Sequence, residues 1–597
     1  MKTRYLVAIK HSQSSPIDAE ALSRSIGLDL AFDRFPILGY ADAPDHRLII
    51  RDRGIILGTL FWRNGPPCPI GGFEEGEAAT ILGDAGQSLL TRCWGGYVSV
   101  LRKGQSARVL RDPSGILACY YAETPTATLF ASDVDLLLAT GLVSSRIDWP
   151  EVGRHHLFKG LPRPATMLDG ICELLPGCAL DTPAQGNGQH PCWSPWDYAH
   201  PEREQPSEPA GERLRRIVAH STSAWTSCHT RLLVSVSGGL DSSIIASCLA
   251  RSGRDVRCIT MYTDDPAGDE REYARALCQH LGLPLVECRY QIEDVDIDAP
   301  VSLHLPRSIG RTLNQAYERA HLRIARSLGI DAFVTGSGGD NVFAYSQSAA
   351  AIADRWLSEG LSSGVLRSLR DVCLQTGCGP IEAVQAAMRS RTRRGYVWRV
   401  SRDFLHPDLC AAADDAGDHP WLDAPPAALP GKAAHIAGLL RVQPLLEPSR
   451  GAFAPVLYPL ISQPVIETCL AIPTWEWRSG GRDRAVARDA FEAQLPESIL
   501  RRRVKGGPDG FSAAILRYHR KEIRGRLLDG HLAQQGIVDR TALDARLSGN
   551  RPLDAAEQVQ VLDLLDTEAW VGAWTRRFAS LSSPVPRSDV VAESPSA

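Results

Sequence analysis

The string Ser237-Gly238-Gly239-Leu240-Asp241-Ser242-Ser243 has the residue types of a phosphate cradle. Two glycines let backbone N–H groups turn toward an anion, the serines add hydroxyl donors, and a helix opening at the loop adds positive partial charge. Asp241 fits beside an anion only if a cation bridges the two, and Mg²⁺ does that. No Gly-Lys-Ser/Thr follows the glycines, so this is not a Walker A loop. The pattern points to a pyrophosphate grip, and so to an enzyme that uses ATP to activate a carboxylate as its adenylate.

A second string, Thr335-Gly-Ser-Gly-Gly-Asp-Asn-Val-Phe343, follows another strand-like run. In open α/β sheets that strand end is where ligands bind, which places Asp340 to share the metal with Asp241. The third string is Arg501-Arg-Arg-Val-Lys505-Gly-Gly507. A basic run is usually a solvated face, but the glycine pair after Lys505 permits a close approach to phosphate. A lysine at the α-phosphate would stabilise charge as an adenylate forms and collapses.

Other patterns are read as structural. Gly360-Leu-Ser-Ser-Gly364 follows a helix-like segment, which is the wrong context for a hydrolase elbow. His155-His156 has no carboxylate at metal-ligand spacing. Trp475 and Trp477 are expected to pack in the core or line a pocket. The fifteen cysteines form no C-x-x-C pair and are odd in number, so neither zinc nor a disulfide framework accounts for them.

The elements that must hold these strings alternate in type. A helix over 212–227 precedes the apolar strand 231–236, and the glycine turn opens a helix through Ala250. Strands at 256–262, 285–289 and 331–335 alternate with helices at 270–281 and 320–328, which implies a parallel sheet covered on both faces. Residues 1–195 instead carry short strand-like runs, among them 47–50, 54–61, 96–101 and 107–111, expected to form an antiparallel β-rich domain. The Pro/Glu-rich stretch 193–211 reads as a linker, and 420–431 and 444–459 as proline-rich breaks in a helical extension. The divisions are 1–195, 212–581 and a Ser/Pro/Asp-rich tail, 582–597, expected to be disordered.

With 597 residues, more than one core is needed. A net charge of -4 gives no sign of nucleic-acid binding. No apolar run is long enough to span a bilayer or serve as a signal peptide, and the expectation is a cytoplasmic protein.

The two glycine-rich strings resemble the synthetase domain of asparagine synthetases and β-lactam synthetases. Trp94-Gly-Gly-Tyr97, Arg111-Asp-Pro-Ser-Gly115, Tyr120-Tyr121, Gly170-Ile171 and Leu175-Pro-Gly177 resemble their glutaminase-like, Ntn-type domain. The resemblance implies a PP-loop α/β synthetase domain with a helical extension behind a β-rich glutaminase-like domain. It also implies ATP and Mg²⁺ as cofactors. Ser235, Ser237, Gly238, Gly239, Ser242, Met261 and Gly336 would line the ATP site together with Asp241. Asp241 and Asp340 would hold the metal, and Lys505 would steady phosphate charge in catalysis.

Two departures narrow the resemblance. Active glutaminase members carry cysteine directly after the initiator methionine, where this chain has Lys2, so no ammonia is expected from glutamine. Ser337 stands where asparagine synthetases have glutamate and β-lactam synthetases tyrosine, so the general base does not carry over.

Gly338–Phe343, Tyr458–Pro464 and Gly480–Ala485 resemble lasso peptide macrolactam synthetases, which adenylate an Asp or Glu side chain of a processed peptide for attack by its own N-terminal amine. That implies a lasso precursor core peptide as substrate, with a leader peptidase and a leader-recognition protein as partners, and no nucleic acid or membrane. The alternatives are a small-molecule amide or β-lactam synthetase using ammonia or an internal amine, and a scaffold without activity.

Overall fold

The computed structural model of this chain describes residues 3–183, 188–199, 208–310, 312–393, 395–411, 419–503, 506–549 and 551–582. Its first part holds two six-stranded sheets whose strand pairs are all antiparallel. Tyr5–Lys10 runs centrally in one, between Ile37–Ala41 and Ala127–Ala131. Cys93–Lys103 runs centrally in the other, between Gly54–Trp62 and Ser106–Arg111.

Period-two alternation explains the layering. Tyr5, Val7 and Ile9 meet Ile55, Leu57, Val98 and Val100 between the sheets. Leu6 and Ala8 face away and pack with Leu22, Ile26 and Val134 from the helices Ala19–Ile26 and Val134–Ala139. The far face of the second sheet, with Ile56, Leu60 and Tyr97, is covered by Ala78, Ile81 and Leu89 of Glu75–Gly83 and Gln87–Arg92.

The second part is built on five parallel strands: β1 (Arg231–Ser235), β2 (Asp255–Tyr262), β3 (Leu285–Arg289), β4 (Ala332–Val334) and β5 (Val456–Leu457). Their order is β3-β2-β1-β4-β5. The chain winds outward from β1 to β3 and returns on the other side of β1 with β4, so the topological switch point lies between β1 and β4. Helices α1 (Ala210–Thr226), α2 (Leu240–Leu249), α3 (Arg271–Leu281) and α4 (Asn314–Leu328) belong to this sheet. Leu232 and Val234 of β1 join one core with Ile244, Ile245, Ala274 and Leu277, while Leu233 turns to a smaller cluster with Ile259, Ala325 and Phe333. The apolar centre of β1, Leu232–Val234, is therefore buried on both faces.

Several boundaries differ from the sequence reading. β5 lies inside 444–459, read as a break, because its two residues complete the sheet edge beside β4. α4 begins at Asn314 rather than 320, since its first turns carry the polar but buried Gln315 and Glu318. Trp193 and Trp196, placed in a linker, are buried anchors: their indole N–H groups donate to Glu467 and to the Trp421 carbonyl. The last helix, Ala555–Ser582, runs one residue into the expected tail, whose remaining residues, 583–597, lie outside the described ones, as does Lys2. His155 and His156 sit on the helix Trp149–Leu157, where burial lowers them to about 3 and about 4, so both are neutral. Trp477 is fully buried, and Arg355 lies over the Trp475 ring. No described helix is long and apolar enough to cross a membrane.

The two parts meet across paired polar groups. Arg63 reaches Glu467 at 2.5 Å, on a helix spanning Gln463–Ala471, and Glu467 also accepts from Trp193 (3.0 Å) and Gln463 (2.7 Å). Arg111 donates to the carbonyls of Gly115, Leu117 and Leu174 and to Glu173, which also takes Arg307 from the second part at 2.7 Å. Every arm of the Arg111 guanidinium is thus committed inside the protein. Glu467→Ala leaves Arg63 and Trp193 without their acceptor and is expected to cost about 3 kcal/mol. Thermal denaturation reads this as a lowered midpoint, and an unchanged midpoint would contradict the tie.

Candidate active site

The Ser237–Ser243 loop leaves the end of β1, and Gly336–Asp340 leaves the end of β4, so both open on the switch point. Gly238 has φ +63°, a left-handed conformation that glycine adopts without strain. A Cβ there would lie 2.2 Å from the Cβ of Tyr273, on α3. The loops themselves touch. A Cβ on Gly336 would come within 2.5 Å of the Ser242 amide nitrogen, and one on Gly339 within 2.4 Å of the Asp241 side chain. The glycines of the second loop are required because the first loop occupies the space a side chain needs.

This contact sets Asp241, in the first turn of α2, beside Asp340 on the short helix α5 (Gly339–Val342). Between them lies Arg484. One terminal nitrogen of its guanidinium stands 3.2 Å from each oxygen of Asp241 and 2.5 Å from Asp340 Oδ1. Arg484 has φ +49°, unusual for a residue with a side chain, and is held there by Asp483, which accepts from its Nε at 2.8 Å and from Arg488 at 3.0 Å. Burial opposes the charge on Arg484, but Asp241, Asp340 and Asp483 outweigh it and raise its pKa. Burial likewise pushes Asp483 up, and Arg484 and Arg488 hold it below the usual carboxylate value.

Two carboxylates meeting at one cationic nitrogen are a donor set that fits a divalent cation. Oxygen-only ligands suit Mg²⁺, which takes one or two carboxylates and completes its shell with water and phosphate. Among the described residues no group of three or more His, Cys, Asp or Glu forms a fuller metal cage.

The remaining predicted residues surround this centre. Ser237 and Ser242 hydroxyls lie 3.5 Å apart, and the Gly239 amide donates to Ser237 Oγ at 3.3 Å. Met261 lies near the end of β2, half-buried in the cluster with Leu233 and Phe333. Ser235 has a defined proton arrangement. His321 is lowered to about 3 by burial, so the ring is neutral, and its Nδ1 must donate to the Tyr317 carbonyl at 2.8 Å. Nε2 then accepts from Ser235 (2.9 Å), whose oxygen accepts from the Tyr317 hydroxyl (2.8 Å). Ser337 is exposed, with its hydroxyl 2.8 Å from that of Thr335.

Lys505 lies outside the described residues. Near it in the sequence, Arg502 and the Gly506 amide both donate to Glu270, just before α3. Arg502 also donates to the Ser237 carbonyl at 3.1 Å and stacks 4.1 Å over Tyr273.

Arg484, Arg502 and Tyr345 received no role from the sequence. Tyr345 is 44% exposed, its amide donates to the Asp340 carbonyl at 2.8 Å, and Arg484 lies 5.3 Å from its ring centre. The strings containing both arginines were visible, but only the fold shows which arginine turns inward. Asp340 is also steadied from behind by α9 (Pro430–Leu440), which follows α6 (Ala350–Glu359), α7 (Ser363–Thr376) and α8 (Pro380–Arg391) in the chain. Asn341 donates to the Gly438 carbonyl at 2.8 Å and His435 to that of Val342 at 2.9 Å.

The family model for asparagine synthase matches residues 213–442 and 449–572, more than half of the chain and all of the elements just described around the site. The chain belongs to the asparagine synthase family. Among curated proteins it is similar to the tRNA-specific 2-thiouridylase MnmA of Brucella ovis and of Brucella canis, 32% identical over 127 residues. That match covers 18% of this chain, which spans about a third (31%) of those relatives' length. Among solved structures, the allosteric regulatory enzyme of purine biosynthesis aligns at 10% identity and TM-score 0.22, over 56% of this chain and 89% of that one. Glutamine phosphoribosylpyrophosphate amidotransferase from B. subtilis aligns at 11% identity and TM-score 0.21, over 56% and 90%.

In this member of the asparagine synthase family, Gly336→Ala forces the loops apart. The expected cost is about 1–3 kcal/mol, with ATP affinity about tenfold weaker if that strain falls on the site. Calorimetric titration with ATP checks this, and native affinity in the variant would contradict the loop contact.

Proposed function

We propose that this chain is an ATP-using carbon–nitrogen ligase that closes a macrolactam on a lasso precursor core peptide freed of its leader, releasing AMP and pyrophosphate. The observation that carries the reading is the meeting of Asp241 and Asp340 around one cationic nitrogen at the switch point, between two glycine loops. Family membership supports ATP-dependent amide formation.

In this mechanism the glycine amides and Ser237, Ser242 and Ser243 grip the pyrophosphate portion of ATP. Ser235, Gly238, Gly239, Met261 and Gly336 line the nucleotide. Asp241 and Asp340 would hold Mg²⁺, which when bound would neutralise phosphate charge. An Asp or Glu side-chain oxygen of the peptide attacks the α-phosphorus. The new P–O bond forms as the bond to the pyrophosphate breaks, and Arg484 and Arg502 stand where leaving-group charge develops. The peptide's N-terminal amine then attacks the acyl carbon. The C–N bond forms, AMP leaves with the acyl C–O electron pair, and the amine loses a proton. Lys505 steadies the phosphate charge through both steps.

Holding both ends of one peptide makes the second step intramolecular, and a site closed to water protects the adenylate. Ser337 leaves open space where relatives with ammonia or a small amine carry a larger side chain. A leader peptidase and a leader-recognition protein would supply the peptide.

Asp340→Asn and Asp241→Asn should each lower AMP formation about 100-fold or more. The assay incubates a leader-free peptide, bearing Asp or Glu at ring-forming spacing, with ATP and Mg²⁺. It follows AMP by chromatography and loss of one water by mass. ADP in place of AMP, or undiminished turnover in either variant, would overturn the assignment.

A further inference from the structure

Among the described residues, eight of the fifteen large apolar side chains left exposed fall between Leu357 and Val397, on or beside helices α6, α7 and α8. Single exposed apolar residues need no explanation, but such a concentration marks an interaction surface. On α8, Ile381, Val384 and Met388 recur at three- and four-residue spacing and form one outward stripe, while Ala383 and Ala387 are buried. Leu361 is 83% and Ile381 76% exposed.

Charge along this stretch of the chain is one-sided. From Ala383 to Arg402 the sequence carries six arginines and no acidic residue. A groove of about 390 Å³ runs along α8, with Val372, Ala383 and Ala386 in its lining and Arg389 and Arg393 against a single carboxylate, Glu382. Neither Arg389 nor Arg393 pairs with a carboxylate among the described residues.

The groove is joined to the catalytic centre. Gln347 lines it and donates to the Tyr345 hydroxyl at 3.4 Å, and Tyr345 lies under Arg484. Gln375 of α7 donates to the Ser346 carbonyl at 3.1 Å, and a Cβ on Gly481, three residues before Arg484, would meet the Leu374 Cβ at 2.7 Å. One wall therefore runs from Asp340 and Arg484 through Tyr345 and Gln347 into the groove.

We infer that the α6–α8 groove binds the part of the peptide substrate beyond the reacting carboxylate, and that it selects an apolar stretch carrying acidic residues. This rests on the proposal that the substrate is a peptide. Charge complementarity commits the occupant: an acidic segment answers Arg389 and Arg393, which pair with no carboxylate among the described residues, and its apolar residues meet the Val372, Ala383 and Ala386 lining. A basic segment would be repelled at the same place.

The test uses the full chain and two synthetic leader-free peptides, identical through the ring-forming carboxylate, whose apolar tails carry two aspartates or two lysines. Binding is read by fluorescence anisotropy and ring closure by loss of water in the mass spectrum. The native protein should favour the acidic tail about tenfold in both readouts, less so at high salt. The Arg389→Glu/Arg393→Glu double variant should reverse the preference, which a misfolded protein cannot do.

Acid-selective binding without ring closure would support the groove and overturn the macrolactam proposal. Ring closure with no charge preference would overturn the groove and leave that proposal standing. Co-sedimentation with phosphatidylglycerol vesicles, or concentration-dependent dimerisation, lost in the double variant and without acid-selective peptide binding, would assign the face to a membrane or a second copy and overturn the inference.

Discussion

Two carboxylates forced together at the mouth of a parallel sheet are the constraint on which the rest of this structure depends. Asp241 and Asp340 come from loops on neighbouring strands, and at this range like charges repel by on the order of 3 kcal/mol at an effective dielectric of about 20. The protein accepts that cost by placing Arg484 between them, on a backbone turned left-handed and braced by Asp483 and Arg488. A site shaped to need positive charge attracts a cation and the phosphates that travel with it. The glycines follow from the same constraint, because Gly336 and Gly339 leave room for the first loop.

The first part of the chain is tied to the second through paired polar and aromatic groups. Its two helix-backed sheets present Arg63, Trp94 and Trp193 to the second part, where Glu467 and Trp225 receive them. Arg111 retains a motif shared with glutamine-hydrolysing relatives, but its donors end on carbonyls and on Glu173. The guanidinium fixes a turn and, through Glu173, meets Arg307 of the second part.

Much of this was legible in the sequence. The apolar run of β1 and the glycine loops gave the sheet and the two aspartates, because backbone needs at a phosphate loop leave few residue choices. β5 was missed since a two-residue edge strand has no periodicity to detect. Arg484 was missed because an arginine in a basic, glycine-rich stretch looks solvated until the fold turns it inward. Trp193 and Trp196 were hidden by the proline-rich stretch around them, and their burial depends on Glu467 and Trp421, more than two hundred residues away. Long-range pairing of that kind leaves no local signal.

The proposed reaction turns on a carboxylate oxygen attacking the α-phosphorus of ATP at the Asp241–Asp340 centre. Isotope transfer tests that step most directly: a peptide substrate labelled with ¹⁸O in its Asp or Glu side chain is turned over, and the products are analysed by mass. Attack at the α-phosphorus delivers one labelled oxygen to AMP and none to pyrophosphate. Label appearing in inorganic phosphate alongside ADP, or AMP formed without label, would contradict it.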